Sequence, residues 1–235
     1  MATKNEGKKE KNGEKPKRKY KSKELYRKDF EMDDAHLAQN SRTWQSLFVD
    51  HLAAFEAFDP NLDVNFANDW MAKIEAFENH PSDKTMLDDL QDKTQTLAEN
   101  TAVVMGFVDD FEYFVKRAFP DDKRMLLEFG LDTIRNSTVV FRLYENVAMV
   151  MRLAQDYNTE LTAAGMPANL STQCQTALSH FGDAELEQEY AKRLRIRATT
   201  KRIKMFNELY AIKQTVHTAA KIVFRSNPTI AGQFA

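Results

Sequence analysis

Ser82–Ala118 reads SDKTMLDDLQDKTQTLAENTAVVMGFVDDFEYFVKRA. Leu87, Leu90, Thr94, Leu97, Thr101, Val104, Val108, Phe111, Val115 and Ala118 recur through it in alternating steps of three and four. That period belongs to one face of a helix and to no strand. Ser82 is a good N-cap, and acids follow it in the first turns, where they complement the positive end of the helix dipole. At 1.5 Å per residue the seam is about 48 Å long. Val103, Met105, Phe107 and Phe114 widen its C-terminal half, which is expected to lie deeper in a core. Two threonines weaken the seam as a free-standing zipper, so packing inside a bundle is the expectation.

Outward from this segment the same period recurs. Leu37, Trp44, Leu47, Phe48, Leu52 and Phe55 predict one helix over 34–58, stopped by Asp59-Pro60-Asn61. Phe66, Trp70, Ile74 and Phe77 predict a shorter one ending before Pro81. A short helix is expected over 121–129 with Gly130 as its stop. The next has Val140, Tyr144, Val147, Met151, Ala154 and Leu161 as its seam and is closed by Gly165 and Pro167. From Asn169 a helical pattern runs to Ser226, with breaks expected at Gly182-Asp183 and at Thr199-Thr200. Its last part carries Met205, Leu209, Ile212, Val216, Ala219 and Val223, thickened by Phe206, Tyr210, Ala220 and Phe224. The chain has 235 residues but only 7 Gly and 6 Pro, too little turn chemistry for an all-β or doubly wound fold. The expected fold is all-α: an elongated antiparallel bundle of five to seven helices over 29–235.

Residues 1–28 read differently. They hold twelve Lys/Arg against four Glu, a charge of +8, with Tyr20, Leu25 and Tyr26 as the only large apolar groups. Such a segment buries too little surface to offset the entropy of ordering, so a disordered basic tail is expected. The body is divided as well. Residues 29–128 carry 22 acids and eight bases (−14), and residues 129–235 carry nine acids and thirteen bases (+4), so the net charge of −2 conceals an asymmetry.

Lys116-Arg117-Ala118-Phe119, followed ten residues on by Phe129, resembles Lys221-Ile222-Val223-Phe224, followed ten residues on by Phe234. The constant offset of 105 residues raises an internal pseudo-repeat as one reading and chance as the other.

No apolar run approaches the ~20 residues that span a bilayer, and no hydrophobic run suggests a secretory signal in Met1–Lys28. The single cysteine, Cys174, fits a reducing compartment, and a cytoplasmic location is expected. Asn136-Ser137-Thr138 and Asn169-Leu170-Ser171 match glycosylation sequons but read as helix starts. No Glu-x-x-His pair, phosphate loop or nucleophile motif occurs. Asp33-Asp34-Ala35-His36 reads as a solvated first turn, and His51 as a partly buried, hydrogen-bonded histidine. Cys174 reads as a small core residue. No cofactor, metal or catalytic residue is expected, and the chain reads as a non-enzymatic interaction or scaffold protein with a protein partner or a second copy of itself.

Two basic segments offer a polyanion site and with it the alternative of a nucleic-acid-associated protein. The first is the tail, with Lys15, Lys17, Arg18, Lys19 and Lys21 around Tyr20, an arm able to attract phosphates without reading sequence. The second is 192–204, with Lys192, Arg193, Arg195, Arg197, Lys201, Arg202 and Lys204 and no acid. As a helix this run is expected to scatter its bases too far around the axis for one stripe. Pairing with acids such as Asp88, Asp89, Asp92, Asp109 and Asp110 is its plainer reading, and an external anion site the other.

Overall fold

A computed structural model describes residues 28, 32–135 and 140–234. The tail lysines and arginine singled out above and the 136–138 sequon lie outside the described residues. The protein is all-α, and among the described residues there is no strand. The segments are α1 (Asp34–Asp50), α2 (Leu52–Phe58), α3 (Val64–Glu78), α4 (Asp83–Ala118), α5 (Lys123–Phe129), α6 (Leu131–Arg135), α7 (Val140–Asp156), α8 (Asn158–Ala163), α9 (Leu170–Val223) and α10 (Pro228–Gln233).

Helix α4 has the expected bounds. Ser82 accepts a hydrogen bond from the Thr85 N–H at 3.0 Å, and Lys116 and Arg117 stand at the negative end of the dipole. Leu97, Val104, Val108, Phe111 and Val115 are buried along the seam. Thr94 and Thr101 turn their hydroxyls to the carbonyls of Leu90 and Leu97, both at 2.7 Å, and so sit in the seam at little cost. Val103 does not widen the stripe: it is 52% exposed, because it points to the side of α4 opposite Val104 and Val108.

Helix α9 runs antiparallel to α4 and beyond it. Its 54 residues make a rod about 80 Å long, and neither expected break occurs. Gly182 costs only about 1 kcal/mol of helix propensity, and its bare backbone admits the Tyr144 ring, which would stand 3.3 Å from a Cβ there. Thr199 gives its hydroxyl to Asp83, and Thr200 gives its own to the Ile196 carbonyl, so neither is free to cap a new helix. The expected first helix, by contrast, is broken. At His51 (φ −115°, ψ 20°) the backbone turns between α1 and α2, setting the Phe48 and Phe55 ring centroids 4.6 Å apart. Both rings are fully buried, and their packing favours the bend over a straight continuation.

The buried side chains form two cores rather than one. The first joins the C-terminal half of α4 to α5, α6, α7, α8 and the first part of α9, around Phe111, Phe129, Val147, Leu161 and Phe181. The second joins α1, α2, α3 and α10 to the last part of α9, around Phe48, Phe55, Trp70, Phe206 and Phe234. Between them α9 and the start of α4 run side by side. Lys28, at the edge of the tail, lies against the second core with its Nζ 4.3 Å from the Phe206 ring centre and 2.5 Å from Asp34.

The two ends spaced 105 residues apart share one local device. α4 closes on Phe119 and α9 on Phe224; Asp122 and Asn227, also 105 apart, then cap α5 and α10; and Phe129 and Phe234 follow, each fully buried in its own core.

Candidate functional site

The 192–204 run lies where α9 passes between the two cores. With 100° between successive residues, Arg195, Thr199 and Arg202 share one side of the helix and point toward α4 and α1. Arg195 reaches Asp83 at 3.3 Å, Thr199 donates to Asp83 at 3.0 Å, and Arg202 stands 3.3 Å from Asp34. Both acids lie in the first turns of their helices. The Thr199 hydroxyl, with Arg195 and Arg202, holds the Asp83 carboxyl below the usual carboxylate range despite its partial desolvation. Farther along, Lys93 pairs with Glu187 at 2.8 Å and Gln188 donates to Thr94 at 3.0 Å. The inward bases are therefore ties between helices.

The outward bases are arranged otherwise. Arg193, Arg197, Lys201 and Lys204 fall within about 80° of one another on the helix surface, and all four are exposed. The seven bases of the run do spread too far around the axis for one stripe, with Arg195 and Arg202 inward and Lys192 about 100° from Arg193, but these four align. Lys192 pairs with Glu189 at 2.7 Å and Lys204 with Glu208 at 3.7 Å, both within α9. Arg193, Arg197 and Lys201 make no ion pair among the described residues, although Arg193 and especially Lys192 help hold the Glu189 carboxyl low. Pairing with acids thus accounts for Lys192, Arg195, Arg202 and Lys204, through Glu189, Asp83, Asp34 and Glu208 rather than the acids singled out in the sequence.

Two residues extend the stripe that the sequence reading passed over. Leu186 and Tyr190, 71% and 62% exposed, stand about two turns and one turn before Arg193 on the same side. Their spacing from Arg193 was readable, since 186–197 lies between the two expected breaks; that this side of α9 faces outward was not.

The other candidate chemistry is spread apart. Asp33 caps α1 through the His36 N–H at 2.9 Å, and His36 bonds back to the same carboxylate at the exposed helix start. His51 packs on Phe224 at 5.2 Å, and His217 donates to the Phe234 carbonyl and stacks on Trp44. Cys174 is fully buried, and desolvation pushes its thiol up to about 11. Among the described residues no three His, Cys, Asp or Glu side chains stand close enough to hold a metal ion, and no helix is long and apolar enough to cross a membrane. A cleft bordered by Asp34, Phe77, Glu78, His80 and Arg202 is open to solvent, and so is a groove between Phe58, Leu62 and Ile222. No family model, curated protein or solved structure matches the chain.

Proposed function

We propose that this protein is a non-enzymatic helical interaction or scaffold protein, and that the outward stripe of α9 is its binding surface. The observation that carries the reading is the alignment of Leu186, Tyr190, Arg193, Arg197 and Lys201 on the exposed side of a helix held rigid by a core at each end. A stripe of large apolar and arginine side chains on a stiff element suits protein recognition, where such residues carry most of the energy. The test compares capture of cellular proteins by the wild type and by Leu186→Ala/Tyr190→Ala. Partners retained by the wild type and lost by the variant, a differently tagged copy of the chain among them, support the reading, and identical capture by both refutes it.

A second reading, a nucleic-acid-associated protein, is favoured by the three bases without ion pairs together with the +8 tail. It predicts binding to single- or double-stranded nucleic acid that weakens steeply with salt. Full-length protein and a truncation beginning at Lys28 would separate the tail from the stripe: loss on truncation assigns binding to the tail, survival assigns it to Arg193, Arg197 and Lys201. No binding by either at low salt ends this reading. A cytoplasmic location belongs to both readings.

A further inference from the structure

The outward side of α4 mirrors that of α9 with the opposite charge. Asp88, Asp92, Glu99 and Asp110 fall within about 40° of one another. They are exposed and make no ion pair among the described residues. Val103, 52% exposed, lies on the same side, and Tyr113, 57% exposed, lies at its margin. Leu90, Leu97, Val104 and Val108, which face inward, lie on the opposite side of α4. The same holds for α9, where Ala184, Ala191 and Arg195 face inward and the basic stripe faces out. Because α4 and α9 turn their inner sides toward each other, the acidic and basic stripes face away from each other across the pair.

The stripes also match in spacing. Arg193, Arg197 and Lys204 stand at intervals of four and seven residues, and so do Asp88, Asp92 and Glu99. Asp88 and Arg193 are nearly level on the antiparallel pair, between the Asp83–Arg195 and Lys93–Glu187 contacts. A half-turn between successive copies therefore lays α4 of one parallel to α9 of the next and sets each of the three bases opposite an acid.

We propose that a second copy of this chain is the occupant of the α9 stripe, docking through the acidic side of its α4. Complementary patches on opposite sides of a molecule make a heterologous contact, which leaves one free patch at each end and so propagates as an open chain. In this register Leu186 and Tyr190 extend past Asp88 to the exposed Pro81 and Thr85, so charge carries most of the contact. The inference rests on the reading of the α9 stripe as a binding surface and adds the identity of the partner.

The test is the mass of full-length protein by light scattering and sedimentation. The wild type is expected to at least double its weight-average mass between dilute and concentrated samples in about 0.02 M salt. It is expected to return to the monomer near 1 M salt, where the screening length falls to about 3 Å. Arg193→Glu/Arg197→Glu and Asp88→Arg/Asp92→Arg each remove one stripe and should each stay monomeric, with helix content unchanged by circular dichroism. Mixed together, the intact acidic side of one variant meets the intact basic side of the other, and the two sides whose charge is reversed complement each other as well, so mixing should restore association. A wild type that remains monomeric at low salt overturns the proposal, as does association unaffected by either double substitution, which would place the contact on the tail or elsewhere. Failure here leaves the wider reading standing unless Leu186→Ala/Tyr190→Ala also leaves partner capture unchanged.

Discussion

Gly106 and Gly130 lie 24 residues apart and respond to alanine in opposite directions. Gly106 is exposed within α4, and a Cβ there meets nothing within 4 Å. Replacing it removes a flexible residue from a helix interior, so Gly106→Ala should stabilise the protein by about 1 kcal/mol. Gly130 closes α5 with φ +63°, a left-handed conformation that an L side chain adopts reluctantly. Gly130→Ala should therefore destabilise by about 1 kcal/mol, and urea denaturation of both variants checks the pair. Cys174 gives a second test at this scale. Its thiol ionises at about 11 in the folded protein against an ordinary value of 9.0. A group that holds its proton more tightly when folded adds stability that is present below 9.0 and lost as pH rises toward 11. The wild type should thus lose stability relative to Cys174→Ala across that alkaline window. At about pH 8, native Cys174 should resist alkylation until the chain is unfolded.

At the scale of elements, Asp83 joins the start of α4 to the middle of α9. Its carboxyl is held below the ordinary 3.8, first by the Thr199 hydroxyl and then by Arg195. A depressed folded value adds stability above the unfolded value and loses it as pH falls through the folded one. The pair with Arg195 is partly solvated, so Asp83→Asn should cost less than about 1 kcal/mol at neutral pH. The gap between variant and wild type should close as acid protonates Asp83, and denaturation at several pH values between neutral and about 2 would reveal it. A gap independent of pH would assign the loss to hydrogen-bond geometry instead of charge. What the sequence disclosed follows the same lines. Local chemistry, such as the Ser82 cap, the Gly130 stop and the apolar period of α4, was legible because each acts over four residues or fewer. The bend at His51 and the unbroken passage of α9 through Gly182 and Thr199 were not, because distant partners decide them: Phe224 for Phe55, Tyr144 for Gly182 and Asp83 for Thr199. The candidate site shared that fate. Its bases were all visible in 192–204, but their division into inward ties and an outward stripe needed the acids of α1 and α4 in place.

At the scale of the whole molecule, one helix serves two cores, and this determines how the protein should unfold. Both tryptophans, Trp44 and Trp70, belong to the second core, so their fluorescence reports on that core alone. Far-ultraviolet circular dichroism weighs helices from both. If α9 transmits order between the cores, the two signals should change together on heating the wild type, as in a single cooperative transition. Thr200 lies in the stretch between the cores, and Thr200→Pro removes an N–H and sets a ring against the carbonyl of Ile196, which already accepts the Thr200 hydroxyl at 2.8 Å. A proline inside a helix costs about 3 kcal/mol where the helix must stay straight. Here the break would fall between cores that each keep their own buried side chains. The expected outcome is therefore a split rather than a collapse, with tryptophan fluorescence and circular dichroism showing separate midpoints in the variant. Coincident midpoints in Thr200→Pro would mean that the other link between the cores, the passage from α3 into α4, carries the coupling instead. The same variant also bears on the stripe, since a kink at Thr200 turns Lys201 and Lys204 away from Arg193 and Arg197. A surface that works as a straight ruler of charge should lose binding with the kink even though every side chain of the stripe is still present.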